Sequence, residues 1–404
     1  MDKQRNYLFS AIVGQEKLKT AYLANIINPE IGGLLISGPK GTGKSTLVHS
    51  IGPLLPEYDA NVDCPFNCSI QNVDSFCSEC RDKKDLKTTK RKMRVVNLPL
   101  SASEDRLIGT VDIEKLLTTG KKHIQPGILG EANNNILYID EVNLLPDHIV
   151  DDILDVAASK VNTIEREGIS ITHASKFVLV GTMNPEEGDL RPQILDRFPL
   201  CVKAESIYDP NLRVEIVKRN ILLENNYDAF KNKFQDSENA LKEIIKQART
   251  DLKKTFISEN FLYAIAASCA ELKVDGQRPD IIITKTALTL ACMNQSGQVC
   301  EKDILLAAEM ALNHRTRDGG LLEPPTTDTI YEVFGRHLKL EIKRIKDSNA
   351  VKMESIDQSL DVSKGNYLQN NLNPASKGEG VGPMGNTNPS ENKSAKASET
   401  EKKK

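Results

Sequence analysis

The stretch Gly32–Ser45, GGLLISGPKGTGKS, sets the reading of the whole chain. Its first half, Gly32–Gly38, is a short apolar run, the pattern of a strand buried on both faces. Its second half, GPKGTGKS (Gly38–Ser45), fits G-x-x-x-x-G-K-[ST] in full. The apolar stretch Ser45–Leu55 that follows reads as a helix stopped by Pro56. A strand, a glycine-rich loop and a helix form the context in which this motif binds phosphate. The glycines let backbone N–H groups turn inward, and the helix N-terminus adds positive potential. The candidate nucleotide-binding residues are therefore Gly38, Pro39, Lys40, Gly41, Thr42, Gly43, Lys44, Ser45 and Thr46. Lys44 is expected to reach the β- and γ-phosphates of ATP, and the Ser45 hydroxyl to ligate the nucleotide's Mg²⁺.

Such a loop needs a second strand that ends in acid, and Ile136–Glu141, ILYIDE, supplies one. An apolar strand would deliver Asp140 beside the metal and Glu141 beside the attacking water. Two adjacent acids can divide the work, Asp140 on the Mg²⁺ shell and Glu141 as general base. Taken with the phosphate loop, they point to a nucleoside triphosphatase.

Outward from this centre, Met93–Leu100, Asn134–Val142 and Lys176–Pro185 read as further buried strands, and Val150–Ser159 as an amphipathic helix. Asn162–His173 alternates and turns at Gly168, which suits a hairpin. Strands alternating with helices imply an α/β domain, residues 1–205, around a parallel sheet covered on both faces. From about Ile207 the apolar spacing becomes helical, giving a separate all-helical domain over residues 206–345. Residues 346–404 are low in apolar side chains and are expected to be disordered.

Composition narrows the field. A chain of 404 residues with a formal net charge of −3 offers no bulk electrostatic pull toward nucleic acid or a membrane. No run reaches the roughly 18 apolar residues of a spanning helix, and the first residues lack the layout of a signal peptide. These features predict a cytoplasmic protein, where clustered cysteines favour metal binding or redox sensing over disulfides.

Half of the eight cysteines fall in one place. Cys64, Cys68, Cys77 and Cys80 pair as C-x3-C and C-x2-C inside an insertion at about residues 57–94 that interrupts the strand–helix alternation. Four soft ligands at this spacing suit a structural Zn²⁺, an iron–sulfur cluster or a redox role is chemically open, and free thiols are the plain alternative. The basic run Arg81–Arg94 that follows reads as a solvated linker. Cys201, Cys269, Cys292 and Cys300 sit in apolar or helical settings and read as core or half-buried thiols.

The segments Arg94–Leu117, Gly127–Ser159, Asn162–Phe198 and Asp275–Ala287 resemble the I-subunit family of magnesium chelatase. That subunit is the AAA+ motor of the enzyme that inserts Mg²⁺ into protoporphyrin IX. The block EREGISITH…NPEEGDLRPQ…LDRF is specific to this family and to the ATPase subunits of cobalt chelatases. The resemblance covers roughly Ser10–Arg317. It implies an AAA+ P-loop triphosphatase core, a helical lid domain and a homo-oligomeric ring. It also implies a D-like AAA+ partner with a von Willebrand-type domain and a large subunit that holds the tetrapyrrole. In this pattern Asn184 has the sensor-1 role, holding the lytic water or touching the γ-phosphate. Arg197 is the finger that reaches a neighbouring subunit's ATP, and Arg278 is the sensor-2 residue that contacts the same nucleotide from the lid side. Arg191 reads as a surface ion pair. The hairpin at Glu165–Ser170 faces the ring pore or a partner, or is a solvated turn. The motifs leave open a cobalt chelatase of corrin synthesis and a cofactor-loading AAA+ chaperone.

Overall fold

Strand β1 (Gly33–Ser37) is buried at every residue and is an interior strand of a five-stranded parallel sheet. The computed structural model describes residues 6–70, 76–81, 85–111, 124–166 and 169–344. The tail expected to be disordered and the turn expected at Gly168 lie outside these residues. The other strands, in chain order, are β2 (Glu57–Asn61), β3 (Thr88–Lys92), β4 (Val95–Leu98), β5 (Gly109–Val111), β6 (Ile124–Pro126), β7 (Ile136–Ile139), β8 (Val161–Arg166), β9 (Ile169–Ala174), β10 (Val178–Met183) and β11 (Leu200–Lys203). The sheet order is β11-β1-β10-β7-β4, so β1 and β7 flank β10. β7 and β10 are buried at every position, as an all-parallel sheet covered on both faces requires.

Register decides what the strand ends present. Ser37 pairs with Met183 across β1 and β10, and Ile139 pairs with Gly181 across β7 and β10. The loop after β1, the acids after β7 and Asn184 after β10 therefore emerge at one edge, the carboxyl end of the sheet, where open α/β sheets bind ligands.

Helices α1 (Glu16–Ile27), α2 (Lys44–Ser50) and α3 (Asp147–Ser159) cover the sheet. Leu18, Tyr22 and Ile26 of α1 pack with Leu34 and Ile36 on one face. Ile149 and Ile153 of α3 pack with Leu35, Leu137 and Leu179 on the other. Helix α2 stops at Ser50, and a 3-10 turn at Gly52–Leu54 follows, earlier than the expected stop at Pro56. Pro53 has no N–H to donate to the fourth residue back, and its ring crowds that residue's carbonyl, so the chain tightens instead.

Beyond β11 the chain is helical: α4 (Pro210–Asn225), α5 (Tyr227–Asp251), α6 (Glu259–Glu271), α7 (Arg278–Met293), α8 (Glu301–Leu312) and α9 (residues 327–344). Local capping sets several starts. Asp209 accepts from Asn211 N at 2.8 Å with Pro210 at the first turn, and Ser258 accepts from Phe261 N at 3.3 Å. Ile245, Phe261, Ile283 and Ile304 extend the core of α1 without a break. Helix α4 departs from its spacing. Val214, Val217 and Ile221 are 51%, 56% and 52% exposed, so the apolar stripe that reads as a buried face has no cover among the described residues. Cys300, expected to be at least half buried, is exposed at the N-cap of α8. Among the described residues no helix is long and apolar enough to cross a membrane.

The insertion adds a small two-stranded sheet. β2 and β3 pair antiparallel, from Glu57 opposite Lys92 to Asn61 opposite Thr88. The four clustered cysteines pack with Phe66, Phe76 and Ile164 in a third apolar cluster. β8 and β9 form the hairpin that the alternation predicts, with Val161 opposite Ala174.

Candidate functional site

The loop from β1 to α2 is shaped by glycine. A Cβ on Gly38 would lie 2.5 Å from the Ala204 carbonyl oxygen, inside contact distance of backbone that cannot yield. Gly41 and Gly43 have φ of +79° and +81°, and a Cβ on either would face open space. Steric contact requires glycine at the first position, and backbone conformation favours it at the other two. Thr42 Oγ1 donates to Pro39 O at 3.0 Å and holds the turn. Lys40 forms an ion pair with Glu187, and Thr46 is exposed on the first turn of α2.

Lys44 folds back over this loop. Its Nζ donates to Gly38 O at 2.6 Å and to Pro39 O at 2.8 Å, carbonyls that phosphate oxygens can replace as acceptors. Partial burial lowers its pKa, against the raising effect of Asp140 and Glu141. Ser45 Oγ lies 3.3 Å from Asp140 Oδ1 and 3.4 Å from Oδ2. A hydroxyl from the first turn of α2 and a carboxylate from the end of β7 give the oxygen donors that Mg²⁺ takes, its shell being completed by water and phosphate. The residues fit a magnesium nucleotide.

Asp140 is held by two residues that sequence reasoning missed. Tyr138 OH and Thr182 Oγ1 each donate to its Oδ1 at 2.7 Å. Burial works to raise the Asp140 pKa, but the hydrogen bonds from Thr182, Tyr138 and Ser45 outweigh it, and the net shift is downward. The carboxylate is thereby kept charged and aimed. The signal was available in part: Tyr138 is two residues before Asp140, so both face the same side of β7. Thr182 Oγ1 also accepts from Glu141 N at 3.1 Å.

Glu141 has a left-handed backbone, φ 56° and ψ 58°. For a residue with a Cβ this conformation is strained, and such strain clusters at functional positions. Asn184 is 2% exposed, and its Oδ1 accepts from Glu186 N at 3.3 Å, which caps the turn after β10. Asn143 Nδ2 donates to the Asn184 carbonyl at 3.4 Å.

Arg197 and Arg278 form a second group. Arg197 Nη1 donates to Asp155 at 2.9 Å and Asp151 at 3.2 Å on α3, and its side chain is 40% exposed. Arg278, the first residue of α7, donates from Nη2 to Arg197 O at 3.0 Å. Arg315 and His314, also missed, hold the same strip of backbone. Arg315 donates to Asp196 O at 2.7 Å and Phe198 O at 3.1 Å, and His314 Nε2 donates to Phe198 O at 2.9 Å. Burial lowers the Arg315 pKa to about 10. The helical region thus grips the segment that carries Arg197. Arg191 pairs with Asp147, as expected of a surface arginine.

Cys64, Cys68, Cys77 and Cys80 are all buried, and their sulfurs lie within 4.8 Å of one another. None is in a disulfide.

Comparison with known proteins agrees with this geometry. The family model described as magnesium chelatase, subunit ChlI, matches residues 8–205, and an AAA lid domain matches residues 262–332. The magnesium-chelatase subunit ChlI homolog of Methanocaldococcus jannaschii is 52% identical over 80% of this chain and 89% of its own length. Magnesium-chelatase subunit ChlI of Mesostigma viride is 44% identical over 81% of this chain and 94% of its own. A solved putative ATPase from Cytophaga hutchinsonii, 18% identical, shares the fold with a TM-score of 0.53 over 81% of this chain and 91% of its own. A phosphate loop, a paired acid strand, a lid and identity of this order over most of both chains place the protein in the magnesium chelatase subunit ChlI family of AAA+ ATPases.

Proposed function

We propose that this chain couples ATP hydrolysis to the insertion of Mg²⁺ into protoporphyrin IX held by another subunit. The observation that carries the catalytic part is the convergence of Ser45 and Asp140 at 3.3 Å, with Glu141 next in the chain. The names of the relatives as magnesium-chelatase subunits support the macrocycle and the metal. The inserted Mg²⁺ is cargo and is distinct from the nucleotide's ion.

The nucleotide's Mg²⁺, when bound, offsets charge on the phosphoryl oxygens. Ser45 Oγ and Asp140 hold it, and Tyr138 and Thr182 fix the carboxylate. Lys44 leaves its two loop carbonyls and donates to the β- and γ-phosphate oxygens. Glu141 takes a proton from water as the water oxygen bonds to the γ-phosphorus. The bond to the bridging oxygen breaks and ADP leaves with that oxygen. The Asn184 amide orients the water. Arg197 and Arg278 act from a neighbouring copy in a ring, where their charge meets that of the transferring phosphoryl group. The pairing of Arg278 with the Arg197 backbone supports a shared target. The exposed stripe of Val214, Val217 and Ile221 supplies apolar surface for assembly.

The same reading assigns a ring, a D-like partner with a von Willebrand-type domain and a large tetrapyrrole-binding subunit. It places a structural Zn²⁺ at Cys64, Cys68, Cys77 and Cys80. A reducing, cytoplasmic setting belongs to the same reading, because thiols stay available there as metal ligands.

Reconstitution with those two subunits tests the function. ATP-dependent formation of magnesium protoporphyrin, lost with Lys44→Ala, is the expected result. Turnover only with a corrin and Co²⁺, or ATPase stimulated by an apo client protein and by no macrocycle-binding subunit, overturns it.

A further inference from the structure

The four-cysteine body touches two elements of the motor, and its sulfur geometry limits what it can hold. We propose that Cys64, Cys68, Cys77 and Cys80 bind a single Zn²⁺, and that this ion braces the β8–β9 hairpin against the start of β7. The second part rests on the zinc assignment made above and goes beyond it.

Zn–S bonds are about 2.3 Å, so tetrahedral ligation sets sulfurs about 3.8 Å apart. Cys64 and Cys77 Sγ lie 3.7 Å apart, and all four sulfurs lie within 4.8 Å of one another. One ion at the centre satisfies that spacing. A cubane cluster spreads its cysteine sulfurs wider, because each binds a different iron. Two donors already point at the sulfurs, as they do around metal-bound thiolates. Cys77 N donates to Cys68 Sγ at 3.3 Å, and Asn61 Nδ2 donates to Cys80 Sγ at 3.2 Å.

The segment between the first two cysteines makes the connections. The Phe66 ring stacks on His173 of β9 with centroids 4.2 Å apart, and Ile164 of β8 packs in the same cluster. Asn133 Nδ2 donates to Phe66 O at 2.8 Å, and Asn134 Nδ2 donates to Asn67 O at 2.9 Å. Those asparagines lead directly into β7, whose far end carries Asp140. A loop with little apolar core of its own is thus pinned at two places, and four thiolates closing on one ion fix its shape.

The test uses the full chain. Metal content by plasma mass spectrometry should give about one zinc per chain, and Cys77→Ser with Cys80→Ser should lose it. Hydrogen exchange, compared before and after chelator treatment, should show amides of residues 161–166 and 169–174 exchanging about tenfold faster without metal. Added Zn²⁺ should restore protection. Phe66→Leu keeps every ligand, so it should retain zinc while stripping no longer changes hairpin exchange. Bound iron, or no bound metal, overturns the zinc assignment. Stoichiometric zinc with hairpin exchange unchanged on stripping overturns the brace alone.

Discussion

Arg278 Nη2 donates a 3.0 Å hydrogen bond to the backbone carbonyl of Arg197. One residue starts a lid helix and the other follows β10, yet they share one surface, so both should serve the same nucleotide in a neighbouring copy. Arg197→Ala should bind ATP and lower turnover about 1000-fold, and Arg278→Ala should act in the same direction. Mixing either with Lys44→Ala should restore part of the ATPase, because one interface then has an intact loop and intact arginines. Mixing Arg197→Ala with Arg278→Ala should restore nothing. Recovery in that last mixture would mean that the two arginines address different nucleotides.

Tyr138 should tune the metal site without building the fold. Tyr138→Phe removes one 2.7 Å hydrogen bond to Asp140 and keeps the ring. A hydrogen bond to a charged group contributes roughly 1.5–3 kcal/mol, so the Mg²⁺ concentration for half-maximal ATPase should rise about tenfold or more. Nucleotide affinity measured without Mg²⁺ should stay the same. Asp140→Asn should abolish hydrolysis, and appreciable residual turnover there would remove Asp140 from the site.

His314 should make the chain acid-sensitive. Its Nε2 donates to Phe198 O, and its Nδ1 is buried without a partner, so a second proton has nowhere favourable to go. Burial, with Arg315 alongside, pushes its pKa from 6.5 to about 3. The unfolded chain therefore binds the proton between those values and the folded chain does not. Stability is fully present above pH 6.5 and falls as pH drops toward 3, by about 2 kcal/mol at pH 5 from this residue. In urea unfolding at pH 7 and 5, His314→Gln should show a smaller loss than the parent chain. Equal losses would rule out this linkage.

The sequence carries the catalytic motifs because their chemistry needs fixed residue types at fixed spacing. The phosphate loop, Asp140, Glu141 and Asn184 all emerge at one edge of the sheet, as that spacing implies. What escaped depends on contacts across long separations. Tyr138 and Thr182 read as strand filler until the register of β7 and β10 sets them against Asp140. Arg315 reads as one more basic residue, although it is buried against carbonyls more than a hundred positions away. The α4 stripe has the period of a buried face, but period alone does not say which surface covers it. Pro53 and Pro56 both read as helix stops, and the first of them ends the run.

Glu141 keeps its carboxylate at a backbone angle that suits glycine or asparagine better. The position therefore withholds stability on the order of 1 kcal/mol, which the proposed role of Glu141 as the acid beside the nucleotide's ion would explain. A screen that rewards thermal tolerance alone would drift toward replacing this glutamate and would return sturdier, inert motors. On the proposed role, selection on turnover would hold the residue there, a trade-off between endurance and work at a single residue.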